Sequence, residues 1–173
     1  IQATGLNFRD VLIAMGQYPQ DAPLGCECVG EVVTVGSAVT ALSVGQKVMA
    51  IAPNTFAQHV TIHADVVAPL PTGITTTGAA TLPVAFVTAY YSLCQLAQLK
   101  AGERVLIHSA TGGVGQAAVQ IAQQVGAEIF ATASPEIWDA LKEMGITHIM
   151  NSRTLTFADE IMTVTQGEGL SVV

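Results

Sequence analysis

The run RVLIHSATGGVGQAAVQIA, from Arg104 to Ala122, dictates the architecture around it. A short apolar stretch leads without a spacer into a glycine loop, and the loop leads into apolar residues at helical spacing. In that strand–loop–helix setting Ala110, Gly112 and Gly115 fill the three positions of the dinucleotide-binding fingerprint, with Ala in place of the first Gly. Gly112 lets the backbone approach a pyrophosphate, and Gly115 lets helix and strand pack closely. The helix N-terminus adds amide donors and a positive partial charge. Thr111, Gly113 and Val114 complete the loop that would clasp the anion. A glycine turn without a ligand is the alternative, and both flanking elements disfavour it.

Backbone dipoles matter here because the chain has only six Lys and Arg against 13 Asp and Glu, a formal charge of -7. Nucleic acid and anionic membranes both need a basic face, so neither is expected as a partner. Apolar runs are interrupted well before the roughly 18 residues of a membrane span, and no basic-then-apolar leader opens the sequence. The expectation is a cytoplasmic protein whose three cysteines, Cys26, Cys28 and Cys94, are reduced.

Beyond the loop the pattern continues as strand (EIFATAS), helix (PEIWDALKEMG) and strand (THIMNS). Gly126 and Gly145 suit left-handed helix C-caps, and Pro135 suits a first helical turn. Apolar strands alternating with helices predict a parallel sheet covered on both faces. The final LSVV reads as a fourth strand, so the expected second domain is a doubly wound Rossmann sheet with strands 1 to 3 and the start of 4 out of six. The chain is therefore expected to be a fragment of a larger polypeptide. Half its residues are hydrophobic and 11% charged, which also points to surfaces buried against missing segments.

The first part has a different texture. Between Glu27 and Leu70 the β-rich stretches EVVTVG, KVMAIA, QHVTI and DVVAPL alternate with turn signals at Gly36, Gly45, Pro53-Asn54 and Pro71, predicting a small antiparallel barrel or sandwich. After Gly73 the sequence becomes helical, with a break at Pro83. The expected domains are 1–77 and 78–173.

Coenzyme choice is read at the end of the second Rossmann strand, where an acid about 20 residues beyond the loop would grip the ribose of NAD. Here the stretch is Ala131-Thr132-Ala133-Ser134. No acid repels a 2′-phosphate and Ser134 can donate to one. Glu136 follows in the helix start, where it complements the dipole. Arg153 would reach the phosphate as a bidentate cation, or is a solvated loop residue. The expected coenzyme is NADPH.

GLNFRDVLIAMGQYP, TAYYSL, the glycine-loop run and SRTLTFA together resemble the enoyl reductase domains of modular polyketide synthases and animal fatty acid synthase, in the medium-chain dehydrogenase/reductase superfamily. The resemblance runs in order through essentially the whole chain. It implies a GroES-like barrel, lacking an N-terminal strand or two here, followed by a Rossmann domain lacking its C-terminal half, with NADPH in the cleft between them. It also implies no metal. Asn7 stands where zinc-dependent members carry Cys, Cys26-Glu27 stand where they carry His-Glu, a later Cys is lost near Pro83, and the four clustered cysteines of the structural zinc are absent. Cys26 alone remains of a set that needs three ligands. Cys26 and Cys28 share a strand face, but two thiolates make a poor site.

The reaction so implied is conjugate reduction of an α,β-unsaturated thioester on an acyl carrier protein, among neighbouring synthase domains. Hydride adds to the β-carbon, and the enolate is stabilised and protonated at the α-carbon. Ketone reduction of the short-chain type needs Tyr-x-x-x-Lys, yet Tyr18, Tyr90 and Tyr91 are followed four places on by Ala22, Cys94 and Gln95. In the family a Tyr at the position of Tyr18 is tied to which enolate face is protonated; its phenol can donate, or it is a rim aromatic. Asn7 would bond the ribose or carboxamide, or cap the helix FRDVLIAMG. Thr88 lies where the family sets a residue against the coenzyme. His59, His63, His108 and His148 are scattered. The family's Lys and Asp proton donors would lie beyond Val173, and its phosphate-binding Lys is replaced by Ile137, which weakens the NADPH reading. A cyclopropane-forming reductase acting on a γ-halogenated substrate, a stand-alone quinone oxidoreductase and a non-catalytic degenerate domain remain open.

Overall fold

The computed structural model describes residues 1–173, which divide into two compact units, Ile1–Val84 and Ala85–Val173. The division falls seven residues after the expected 77/78 boundary. Ala79 and Ala80 pack on Val29 of the first unit's sheet, and Glu27 accepts a hydrogen bond from the Val84 amide at 2.9 Å, so this helical stretch is held by strands that precede it.

In the first unit β1 (Ala3–Thr4), β2 (Glu27–Glu31), β3 (Lys47–Ile51) and β4 (Val67–Pro69) form an antiparallel sheet in sequential order. Val29 lies opposite Ala3 on one side and Met49 on the other. Residues 32–46 join β2 to β3, and the segment closes where the N–H of Gly45, at φ +84°, donates to Val32 O at 2.8 Å. The expected strand at QHVTI is not one: residues 58–62 form no ladder, because β-branched residues become a strand only where a neighbour offers backbone partners. Likewise the expected strand EVVTVG (31–36) is not one: only its Glu31 belongs to β2, which begins earlier, at Glu27. Two helices flank the sheet, α1 (Phe8–Ala14) and α2 (Thr76–Ala79), the latter capped by Thr75 Oγ1, which accepts from Gly78 N at 3.1 Å.

The predicted helix break is at Pro83, which opens α3 (Pro83–Tyr90) at a position where its missing N–H is harmless. A π-helical turn, Tyr91–Leu96, follows, with Ala97 N bonded to Ser92 O at 2.9 Å. Then β5 (Arg104–His108), α4 (Gly113–Val125), β6 (Glu128–Ala133), α5 (Trp138–Glu143), β7 (His148–Asn151) and α6 (Phe157–Val164) alternate. The three strands are parallel in the order β5-β6-β7, and Val172 pairs with Val105 on the free side of β5. The order 4-1-2-3 is that of the first part of a doubly wound sheet. Both faces are covered: Val105, Ile107, Ala131 and Ala133 meet α4, while Leu106, Phe130 and Met150 meet Ile161 of α6. Helix α6 was not anticipated: Thr156 before it makes no side-chain cap, although Asp159 and Glu160 in its first turn favour a helix start. Gly126 (φ +83°) and Gly145 (φ +81°) end their helices in the left-handed region as expected. No helix is long and apolar enough to cross a membrane.

Candidate active site

In the second unit the glycine loop leaves β5 through Ser109, which adopts φ +51° and turns its carbonyl to accept the Gly112 amide at 2.8 Å. Ala110 is fully buried, which leaves room for nothing larger in place of the usual first Gly. A side chain on Gly115 would collide with the Ser109 carbonyl oxygen and the Ala110 backbone, so helix and strand touch there through bare backbone. A side chain on Gly113 would meet open space. Gly112 is the N-cap of α4 and has no side chain to offer, so the first-turn amides at Gly113, Val114 and Gly115 have neither a side-chain cap nor an intrahelical acceptor. Gln116 Nε2 donates to Thr111 O at 2.7 Å and steadies the loop. Uncapped amides beside exposed backbone fit a pyrophosphate.

The ends of β6 and β7 lie side by side, with Ala133 paired to Asn151 and Ser152 N bonded to Ala133 O at 3.0 Å. Ser134 and Arg153 therefore emerge next to one another. Glu136 lies two residues after Ser134: its own backbone amide and the Ser134 hydroxyl hold its carboxyl below the usual range, with a further pull from Arg153. The sequence assigned Glu136 only to the helix dipole. Its proximity to Arg153 follows from the pairing of the two strands. Ile137 is partly exposed in the same turn, and Thr88 is exposed on α3. His108 Nδ1 lies 2.8 Å from Thr132 Oγ1 and its ring meets Phe157 edge-on, a packed arrangement.

In the first unit Asn7 precedes α1 and Tyr18 follows it, in a turn that folds back onto Leu12 O. Asn7 is the N-cap residue and its N–H donates to Asp10 Oδ2 at 2.9 Å. Its side-chain amide donates to Glu27 Oε1 at 2.6 Å and to Cys26 Sγ at 3.3 Å. Both amide hydrogens are thus engaged, and toward a ligand Asn7 can only accept. Glu27 is 3% exposed, and Gly5 permits its burial, because a side chain there would strike the carboxylate and the Ala80 carbonyl. Tyr18 is half-buried after α1, with its amide on Leu12 O, and lines an open pocket of about 460 Å³ with Ile13, Gly16 and Pro23.

A zinc ion does not fit this group. Of Cys26, Glu27 and Asn7, both Glu27 oxygens are engaged, by Asn7 and by Val84 N, and Cys26 Sγ accepts from the Asn7 side-chain amide, which leaves only the neutral Asn7 oxygen free. No three His, Cys, Asp or Glu side chains converge anywhere in the chain. Burial, reinforced by Asp10 and Glu27 against the pull of Arg9, raises the Cys26 thiol above its ordinary value.

Known proteins agree with these two units. The alcohol dehydrogenase GroES-like domain family matches residues 1–72 and the zinc-binding dehydrogenase family matches 113–173. All of the chain aligns at 48% identity with a phenolphthiocerol/phthiocerol polyketide synthase of Mycobacterium tuberculosis, of which it spans 8%. Among solved structures, CurK enoyl reductase is 48% identical with a TM-score of 0.90, over 96% of this chain and 54% of that one. A mycobacterial Rv1454c structure complexed with NADPH is 31% identical with a TM-score of 0.85, over 96% and 54%. The chain thus spans about half of the solved relatives. With an antiparallel unit and a parallel sheet of the matching order, it belongs to the medium-chain dehydrogenase/reductase superfamily and is similar along its length to polyketide synthase subunits and to the CurK enoyl reductase.

Proposed function

We propose that this chain forms part of an NADPH-dependent, zinc-independent enoyl reductase that reduces an α,β-unsaturated acyl thioester carried by an acyl carrier protein within a polyketide synthase. The observation that carries the reading is the uncapped first turn of α4, opened by Gly112 and held against bare backbone by Gly115. When bound, NADPH supplies the hydride for the β-carbon of the alkene. In this reading Ala110, Thr111 and the residues Gly112 to Gly115 receive the pyrophosphate, Ser134 and Arg153 face the 2′-phosphate, and Thr88 lies against the coenzyme.

Addition at the β-carbon leaves an enolate. Tyr18 donates its phenolic proton to the α-carbon and recovers it from water through the open pocket that it lines. Asn7, with both amide hydrogens held by Glu27 and Cys26, offers its oxygen as an acceptor to the coenzyme's ribose or carboxamide.

Titration of the full-length protein with NADPH and NADH tests this reading. Saturable binding with NADPH preferred is expected, together with turnover of an enoyl-pantetheine thioester. Absence of nucleotide binding, or preference for NADH, overturns it.

A further inference from the structure

The motif NFRDVL contains an arginine that none of the roles above uses. Its neighbour Asp10 does the structural work of the segment: it is 2% exposed and accepts from Asn7 N at 2.9 Å and Gly25 N at 2.8 Å, tying the start of α1 to the end of the following loop. Arg9 makes a different set of contacts. One terminal nitrogen donates to Pro23 O at 3.1 Å, and the guanidinium carbon lies 5.8 Å from the centroid of the Tyr18 ring. Its Nε is buried with no hydrogen-bond partner, so the side chain is not placed to satisfy its donors.

The segment that Arg9 reaches needs restraint. It runs from Gly16 to Gly25, both in the left-handed region (φ +67° and +81°). On its near side Tyr18 is tied by its amide to Leu12 O, and its hydroxyl makes no hydrogen bond within the protein. A cation over an aromatic face fixes the ring plane without occupying the hydroxyl, which leaves the O–H free to donate.

We propose that Arg9 is the positioning residue for Tyr18: anchored on the Pro23 carbonyl, it holds the phenol ring in one orientation and so decides which enolate face receives the proton. The proposal rests on Tyr18 as the proton donor. It concerns the configuration of the product rather than the delivery of hydride.

The test uses the full-length protein, an α-methyl-branched enoyl thioester of pantetheine, and chiral analysis of the reduced product. The epimer ratio is internal to each product mixture, so a smaller folded fraction does not move it. Tyr18→Phe is expected to shift the ratio. Arg9→Met is expected to shift it in the same direction by about two- to fivefold, the range of a cation–π contact at a partly exposed site. Arg9→Lys, which keeps a cation for the ring, is expected to restore most of the wild-type ratio. If Arg9→Met does not fold, Arg9→Gln carries the same reading, because it retains a donor for Pro23 and no charge over the ring. A shift with Tyr18→Phe and none with the uncharged Arg9 variants overturns the role of Arg9 alone. No shift with any variant overturns Tyr18 as the donor and this proposal with it, and an Arg9→Lys ratio as altered as that of Arg9→Met overturns the ring contact as its cause.

Discussion

The Glu27 carboxylate accepts the Asn7 side-chain amide at 2.6 Å through one oxygen and the first-turn amide of α3, at Val84, through the other. Glu27 thus fixes the face Asn7 presents and anchors a helix start. Truncation to Glu27→Ala strands two donors in a buried setting, and the expected loss of stability is about 1–3 kcal/mol. Glu27→Gln, which keeps one acceptor oxygen, should lose less. Urea unfolding of the full-length protein measures both, and equal midpoints for wild type and Glu27→Ala would show that these bonds contribute nothing net.

Two neighbouring glycines of the loop should behave oppositely. Gly115→Ala drives a methyl into the Ser109 and Ala110 backbone, so it should cost about 1–3 kcal/mol and weaken coenzyme binding. Gly113→Ala adds a methyl to open space and should stay within about 0.5 kcal/mol of wild type. Thermal melts with and without NADPH compare them. Indistinguishable variants would show that the close approach at Gly115 does not hold the loop.

Glu136 lies where a 2′-phosphate is proposed to sit, with its carboxyl held ionised by its own amide, Ser134 and Arg153. Glu136→Gln removes a like charge and frees the Ser134 hydroxyl. Affinity for NADPH relative to NADH should rise by up to about fivefold, the scale of an exposed charge interaction. Titration of both coenzymes decides it, and an unchanged ratio places the phosphate elsewhere.

Burial raises both Cys26 and Cys28, helped by Asp10 and Glu27 at Cys26, against Arg9, and by Glu27 at Cys28. A raised thiol pKa stabilises the fold below the unfolded thiol's range, and that contribution is lost as pH rises through the folded value. Alkylation of these thiols in the folded protein should therefore lag the unfolded protein until the pH exceeds the ordinary thiol range, while the urea midpoint falls. Mass spectrometry across a pH series reads the first. Added zinc should neither slow alkylation of Cys26 nor raise the melting temperature, and protection by zinc would overturn the reading of an incomplete ligand set.

Much of the second unit follows from local rules. Gly126 and Gly145 end helices because only a residue without Cβ adopts that turn cheaply, and Pro83 opens one because its ring forbids the interior. Strand order followed from the connection rule, and Val172 beside β5 fits it. The first unit was less legible. QHVTI has strand composition but no ladder, and the helix that follows Gly73 stays with the first unit because Ala79, Ala80 and Val84 find their partners on β2.

What the amino-acid order determined by itself is the set of features governed by neighbours a few residues apart: the glycine loop, its helix, the caps and the breaks. Tertiary structure alone decided what Asn7, Glu27, Arg9 and Glu136 touch. The pairs Asn7–Glu27 and Glu27–Val84 are 20 and 57 residues apart, and Arg153 comes within charge range of Glu136 only because β6 pairs with β7. Hydrogen bonds and charge contacts act over a few ångströms of space, and sequence separation carries no record of that distance until the chain has folded.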